Sequence, residues 1–208
     1  MPNCEYDPLA VLVIAGIVTL VALATVVTSL GHAHLAPTGL SPVRNAVSQY
    51  GISPARSDYR VATLAFAAGG VGLAVALSQV VDHREGAIIA FLCVFAVARA
   101  LISWFPMDAP GTERTSSGAL HGVLAIAAFG SATVAAFRLG TALSDQHTWH
   151  GLAGVSTALA WLMLAFLLGM VSRRAVPAIS RWFGAIERGF YVAAIAWFAV
   201  FAIAAAVH

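Results

Sequence analysis

Charged residues are scarce in this chain, and one basic residue type is missing altogether. Only 10% of the 208 residues are charged, whereas soluble proteins average about 25%. All 11 basic residues are arginine, and lysine is absent. So few charges cannot cover a water-facing surface, and with 60% hydrophobic residues the composition indicates an integral membrane protein. The net charge of +2 does not suggest nucleic-acid binding.

Signatures of several other protein classes are also missing. The two cysteines, Cys4 and Cys93, do not make a disulfide framework, and we expect them not to pair, because Cys93 falls in the middle of an apolar run. No nucleotide, flavin or haem signature and no Gly-x-Ser-x-Gly motif stands out. The first apolar run lacks a basic segment before it and a clear cleavage site, so we interpret it as a retained span. The sequence therefore identifies no cofactor.

Six apolar runs are each long enough to cross a bilayer, which takes about 20 helical residues. Backbone polar groups find no water in lipid, so each run is predicted to be a helix. We predict an all-α polytopic membrane protein in which six transmembrane helices form one bundle and one domain over residues 1–208. Frequent Gly and Ala favour close helix packing. The predicted spans cover about 9–30, 60–81, 87–106, 119–142, 150–171 and 187–207.

Arginine is distributed unevenly between the two ends of the predicted bundle. Seven arginines lie in loops one, three and five, with Arg188 just beyond, and only Arg84 and Arg138 lie at the other end. The positive-inside rule then predicts that these three loops are cytoplasmic and both termini are outside. We expect the inner (plasma) membrane of a bacterium. The seven are Arg44, Arg56, Arg60, Arg114, Arg173, Arg174 and Arg181.

Loop one contains the segment LSPVRNAVSQYGIS at 40–53, which has the pattern of a short interfacial helix. Ser41 suits the N-cap, Pro42 the first helical position and Gly51 the stop, which places the helix at about 42–50. Its apolar residues recur at helical spacing, and its polar residues occupy the other faces. Two interpretations remain open: a solvated connector that anchors the loop, or a lid that carries polar groups over a cavity. The polar residues are Arg44, Asn45, Ser48 and Gln49.

Arg99 lies inside the third predicted span, seven residues before Pro106. An arginine in the membrane costs at least about 2.5 kcal/mol on insertion scales, so it normally faces a partner or a wet cavity. The alternative is that its long side chain reaches back to the interface. The position indicates a polar site within the bundle, close to loop three.

Three further ionisable residues are predicted at the same end of the bundle. Asp108 lies in the Pro-flanked turn DAPG, where its alternative role is that of a turn or cap residue. His121 lies within about one turn of the start of span four, whose N-cap is predicted to be Ser116 or Ser117. Glu187 begins span six, and its alternative role is a local ion pair with an arginine. Each signal is weak alone, but together they mark one end of the bundle.

Seven polar residues are therefore predicted to form a ligand-binding site. A site with both charge signs, a hydroxyl group and an imidazole suits the polar head of a lipid or other amphiphile, because arginine pairs well with phosphate or carboxylate. The expected partners are membrane lipids. The residues are Arg44, Asn45, Ser48, Arg99, Asp108, His121 and Glu187.

Two other functions remain open. Ser48, His121 and Asp108 have the residue types of a nucleophile, a base and an orienting acid, which is compatible with an intramembrane hydrolase or transferase. A small bundle with short loops also suits an accessory subunit of a larger membrane complex, with other membrane proteins as partners. The sequence does not decide whether the protein is an enzyme.

Histidine pairs occur at both ends of the bundle. His32 and His34 lie near the predicted site, while His147 and His150 lie at the opposite end, where we expect loop and helix-start roles. Neither spacing is diagnostic of zinc. We therefore predict no metal site.

Three motifs in this order resemble a known family: LSPVRNAVSQYG, then WFPMD, then LHG at the start of span four. The chain resembles the bacterial and archaeal membrane family catalogued as domain of unknown function 998. The resemblance implies a six-helix bundle, without an assigned activity, and marks Ser48, Asp108, His121 and Arg99. Where the family pattern has an acidic residue after the serine, this chain has Gln49. The family is also similar to eukaryotic six-span proteins linked to lipid remodelling or lysosomal membranes, which is analogy alone.

Overall fold

The structure, a computed structural model, describes residues 7–144, 146, 149–172 and 176–207. Within these residues the chain forms helices, turns and loops, and no strand. The three short 3-10 helices are Val47–Ile52, His83–Glu85 and Ile102–Trp104. The α-helices are α1 (Pro8–Leu35), α2 (Arg56–Ser78), α3 (Gly86–Leu101), α4 (Ser116–Ser144), α5 (His150–Ser172), α6 (Pro177–Ser180) and α7 (Phe183–Ala206).

Six of these elements are long and apolar enough to cross a membrane, namely α1, α2, α4, α5, α7 and α3 with its flanking 3-10 turns over His83–Trp104. The prediction of an all-α, six-span membrane protein is confirmed. The predicted ends differ by a few residues, most clearly where α1 continues through a polar segment to Leu35 instead of ending near residue 30. The short helix α6 in loop five was not predicted, because it is too short to show an apolar period.

The six spans pack side by side in the order α1, α2, α3, α4, α5, α7, and α7 closes the ring against α1. Glycine allows the closest approaches. A Cβ on Gly16 of α1 would come within 2.7 Å of the carbonyl oxygen of Ala202 on α7. On α2, a Cβ on Gly72 would come within 3.2 Å of the carbonyl oxygen of Ala15. These contacts bear out the small-residue packing that the Gly- and Ala-rich runs predict.

Aromatic side chains fill the space enclosed by α2, α3 and α7. The ring centroids of Phe66, Phe95 and Phe198 lie 4.9, 5.1 and 5.2 Å apart. At such spacings, edge-to-face and tilted pairs are favourable. Phe66 also faces Arg99, so this aromatic cluster forms the floor beneath the site described below.

Loop one contains a short helix, but its predicted boundaries at about 42–50 are wrong. The side chain of Asn45 accepts a hydrogen bond from the Ser41 amide, and the Asn45 amide donates to the Ser41 carbonyl, which closes a single turn. Ala46 is then extended, with φ −59° and ψ 148°, so the helix restarts as the 3-10 helix Val47–Ile52. Gly51 lies inside that helix and does not stop it. Short polar side chains compete with helix bonding in this way.

Candidate functional site

Two adjoining cavities lie at the end of the bundle that carries loops one, three and five. The inner cavity has a volume of about 390 Å³, and an outer cleft of about 490 Å³ lies against loop one. They share the lining residues Ala46, Met107, Asp108 and Phe183. Each of the seven predicted site residues lines one of them: Ser48, Arg99, His121 and Glu187 the inner cavity, Arg44 and Asn45 the outer cleft, and Asp108 both.

Arg99 lies at the inner end of the site and is only 1% exposed, although it occupies the last turn of α3. The alternative in which its side chain reaches the interface is therefore wrong. Its guanidinium carbon lies 5.6 Å from the ring centre of Phe66 and 5.3 Å from that of Tyr191. Such cation–π contacts partly replace lost hydration. Among the described residues, its Nε atom has no hydrogen-bond partner.

Tyr59, Tyr191 and Glu187 surround the Arg99 guanidinium and act on it electrostatically. Both tyrosines are buried and line the inner cavity. They were not predicted, because Tyr59 falls just before the predicted second span and Tyr191 lies inside an apolar run, where a tyrosine leaves the hydrophobic period unchanged. The only available signal was that a tyrosine hydroxyl buried in a span needs a polar partner.

Glu187 fixes loop one over the inner cavity. Its Oε2 atom accepts a 2.7 Å hydrogen bond from the Val47 amide. The next residue, Arg188, donates from Nη1 to the carbonyl oxygens of Pro42 and Asn45, at 2.7 and 2.9 Å, and from Nη2 to the Tyr50 hydroxyl at 3.0 Å. The start of α7 therefore holds loop one in place, and loop one forms a wall of the site.

Asp108 follows the 3-10 end of span three and precedes a β-turn at 109–112. In that turn Gly111 has φ +84°, a conformation that favours glycine. The Asp108 carboxylate accepts hydrogen bonds from the Thr115 hydroxyl at 2.6 Å and from the Thr115 amide at 3.2 Å. Asp108 thus braces the loop that leads into α4, as its turn-and-cap alternative expects.

The N-cap of α4 is Thr115, so the prediction of Ser116 or Ser117 is wrong. The Thr115 hydroxyl accepts a 3.0 Å hydrogen bond from the Gly118 amide, which satisfies one free donor of the first turn. Helix α4 itself begins at Ser116, and Ser117 instead donates to the carbonyl oxygen of Pro106 at 3.1 Å. N-cap propensity alone does not distinguish Thr115 from the two serines that follow it. The hydrogen bond to Asp108 selects Thr115 as the N-cap.

Ser48, His121 and Asp108 line the same cavity but form no relay. The Ser48 hydroxyl donates to the sulfur of Met107 at 3.2 Å. The Nδ1 atom of His121 lies 2.8 Å from the carbonyl oxygen of Phe105, so it carries the proton, because a carbonyl can only accept. Among the described residues, no hydrogen bond joins any two members of the trio. The arrangement lacks the nucleophile–base–acid chain that the hydrolase hypothesis requires.

Asn45 and Gln49 are bonded to each other. Asn45 donates from Nδ2 to the Oε1 atom of Gln49 at 2.7 Å, while its own oxygen closes the turn to Ser41. Gln49 therefore serves loop one locally. Arg44 is exposed on the outer cleft, where it is accessible to a charged group from solvent.

The described residues contain no group of three metal-ligating side chains. His34 lies with its Nδ1 atom 3.2 Å from the Tyr50 hydroxyl, where it supports loop one. The exposed Cys93 is on α3. Cys4, His147, Arg173 and Arg174 lie outside the described residues.

The inner cavity has an apolar side as well as a polar one. The first half of α4 and the last turns of α5 supply this side, opposite the α3 and α7 residues around Arg99. Two of its residues, Ile126 and Val171, are also 62% and 59% exposed. The glycine and apolar residues of these two helices that line the cavity are Gly118, Gly122, Ala125, Ile126, Phe129, Leu167, Met170 and Val171. The cavity is therefore amphipathic.

Over residues 13–204 the chain matches the family described as protein of unknown function (DUF998), and it belongs to that family. No curated protein and no solved structure matches the chain. The matched region includes both cavities and all of the six spans except the first residues of α1 and the last of α7, so the site described above lies within the family region.

Proposed function

We propose that this DUF998 protein binds a lipid or other membrane amphiphile by its anionic head group, with the head group in the inner cavity beside Arg99. The observation that supports the proposal is the environment of Arg99. Its charge is buried, its Nε donor has no partner among the described residues, and it borders a cavity large enough for a ligand. The volume of about 390 Å³ lies in the range of about 300–1,000 Å³ that is typical of small-ligand sites.

An anionic oxygen would provide what Arg99 lacks. A buried donor without a partner costs about 1–3 kcal/mol, and more when it is charged. The ring faces of Phe66 and Tyr191 offset part of that cost but leave the Nε donor without a hydrogen-bond partner. Carboxylate and phosphate oxygens match this planar donor group closely. A bound head group would therefore gain more at this position than at any exposed arginine.

Two exposed arginines at this end would attract an anion toward the site. Arg114 lines the inner cavity and Arg44 lines the outer cleft, and both are exposed. We place this end at the cytoplasmic face of the inner membrane, because most arginines lie there. The head group would then come from the cytoplasmic leaflet. Trp104 and Trp182 are half-exposed at this end, as interfacial tryptophans usually are.

Native mass spectrometry of the protein, released gently from its own membrane, tests the proposal. We expect a discrete lipid adduct on the wild type that is lost in Arg99→Met, a change that removes the charge and retains a long apolar side chain. The control is Arg138→Met at the opposite end of the bundle, where Arg138 pairs with Glu85 at 3.1 Å on the surface. That variant should keep the adduct.

Adducts of equal intensity on both variants would contradict the proposal, since they would show lipid bound elsewhere. Other protein chains in a fixed ratio, without an adduct, would favour the accessory-subunit alternative instead.

A further inference from the structure

Helices α4 and α5 pack tightly at the end of the bundle far from loop one. A Cβ on Gly140 would come within 3.2 Å of the Ala153 carbonyl oxygen, and the Ser156 hydroxyl donates to the Ala136 carbonyl oxygen at 2.8 Å. No gap exists between the two backbones here, so this end of the interface is closed to a ligand.

The same two helices have space between them at the loop-one end. Here the inner cavity is bounded by Gly122 and Ala125 of α4 and by Leu167 and Met170 of α5. A Cβ on Gly122 would meet no atom within 4 Å, which shows open space beside the helix. The interface between α4 and α5 is therefore closed at one end and open at the other.

This open end leads to the outer surface of the bundle. Ile126 and Val171 line the inner cavity, yet 62% and 59% of their surfaces are exposed. Both lie in helices that are long and apolar enough to cross a membrane, and Ile126 lies well inside α4, so we expect its exposed surface to face hydrocarbon. The cavity thus has an apolar side opening in addition to the polar outer cleft.

We propose that the ligand is an amphiphile with a single chain and a singly charged oxyanion as its head group, and that it enters sideways from the bilayer between α4 and α5. The head group binds beside Arg99, and the chain lies in the gap between the two helices. This inference rests on the proposed head-group site and adds the route and the ligand class.

The size and charge of the cavity define that class. A volume of about 390 Å³ is near the lower end for ligand sites, so it holds a head group and the first part of one chain. Glu187 also lines the inner cavity and would repel a second negative charge beside Arg99. Fatty-acid carboxylates and the phosphodiesters of lysophospholipids carry one charge each, whereas a phosphate monoester carries about −1.5 to −2.

Photolabelling of the full-length protein in nanodiscs tests this route. The probes are a fatty acid and a lysophosphatidylglycerol, each with a diazirine in the middle of its chain, and a two-chain phosphatidylglycerol with the same group. We expect the single-chain probes to label the cavity-lining segments of α4 and α5. Which of the two labels more strongly distinguishes the carboxylate from the phosphodiester.

A matched pair of glycine variants tests the gap itself. Gly122→Leu fills it, and because an amphiphile chain beside the added side chain would overfill the gap, single-chain labelling should fall about tenfold or more. Gly130→Leu is the control, since Gly130 lies on the same helix, also has no atom within 4 Å of a Cβ, and does not line the inner cavity. It should label as the wild type does. If Gly122→Leu fails to fold, Ala125→Phe fills the same gap.

The outcomes separate this inference from the proposed function. Labelling that requires Arg99 but maps to the outer faces of α1 or α2, and is unchanged in Gly122→Leu, overturns the side route and leaves the head-group site standing. Equal labelling by the two-chain probe overturns the single-chain class. Labelling by any probe that is the same in Arg99→Met as in the wild type overturns the head-group site, and this inference with it.

Discussion

Arg99→Met should abolish ligand binding while leaving the stability of the unliganded protein nearly unchanged. Removing the charge recovers at least about 2.5 kcal/mol, the cost of an arginine in the membrane on insertion scales. It also loses the contacts with Phe66 and Tyr191, worth about 0.5–2 kcal/mol each, and the electrostatic attraction to Glu187. Methionine keeps much of the buried apolar stem. These terms nearly cancel, so we expect a change within about 1.5 kcal/mol in the free energy of unfolding.

Added ligand should stabilise the wild type but not Arg99→Met. A ligand at one hundred times its Kd stabilises the folded state by about 2.7 kcal/mol. For a chain of this length, 1 kcal/mol shifts the midpoint of thermal unfolding by about 2–4 °C. Adding ligand should therefore raise the wild-type midpoint by roughly 5–10 °C. The midpoint of Arg99→Met should stay where it is.

Thermal unfolding in detergent, followed by tryptophan fluorescence with and without the anionic amphiphile, measures both quantities. Arg99→Lys is the informative intermediate, because it keeps the charge and loses the planar donor group, so it should retain part of the shift. The reasoning is refuted if Arg99→Met alone lowers the midpoint by more than about 10 °C and the remaining folded protein still responds to ligand. Arg99 would then be a structural residue that the bundle needs for packing.

Two further substitutions, with one control, test the packing of the bundle by the same unfolding measurement. Gly118→Ala should lower stability by about 1–3 kcal/mol, because the new Cβ collides with the Asp108 carboxylate and displaces a charged hydrogen-bond acceptor. Gly130→Ala, which meets open space, should be neutral or stabilising by up to about 1 kcal/mol, and equal losses in the two variants would contradict the collision. Ser156→Ala should cost about 1–3 kcal/mol, because the buried indole N–H of Trp197 loses its 2.8 Å acceptor. An unchanged midpoint there would show that the indole finds another partner.

Hydropathy was sufficient to predict the six spans, because a bilayer imposes one length and one type of secondary structure on each. It did not locate their ends, since helix α1 continues into a polar segment up to Leu35. Helix ends depend on local hydrogen bonds, as the choice of Thr115 over Ser116 shows: Asp108, seven residues earlier, decides it. Such a contact has no signature in a hydropathy profile.

The conformation of loop one also could not be predicted from its local sequence. Its apolar spacing and capping residues favoured one α-helix, but the Asn45 side chain closes a turn with Ser41 and the helix restarts at Val47. Hydrogen bonds with Glu187 and Arg188 at the start of α7 then hold the segment in place. Side chains about 140 positions away along the chain thus set its conformation, and local propensity carries no information about them.

The seven predicted site residues also differ in whether their polar groups already have hydrogen-bond partners within the protein. Asn45 is bonded within loop one, and the Asp108 carboxylate is bonded to Thr115. Arg99 is the exception, because it is buried and its Nε has no partner within the described part of the chain. The cost of an arginine in a span was the sequence signal that carried the strongest requirement for a partner. That requirement makes Arg99 the residue at which an anionic head group would gain the most.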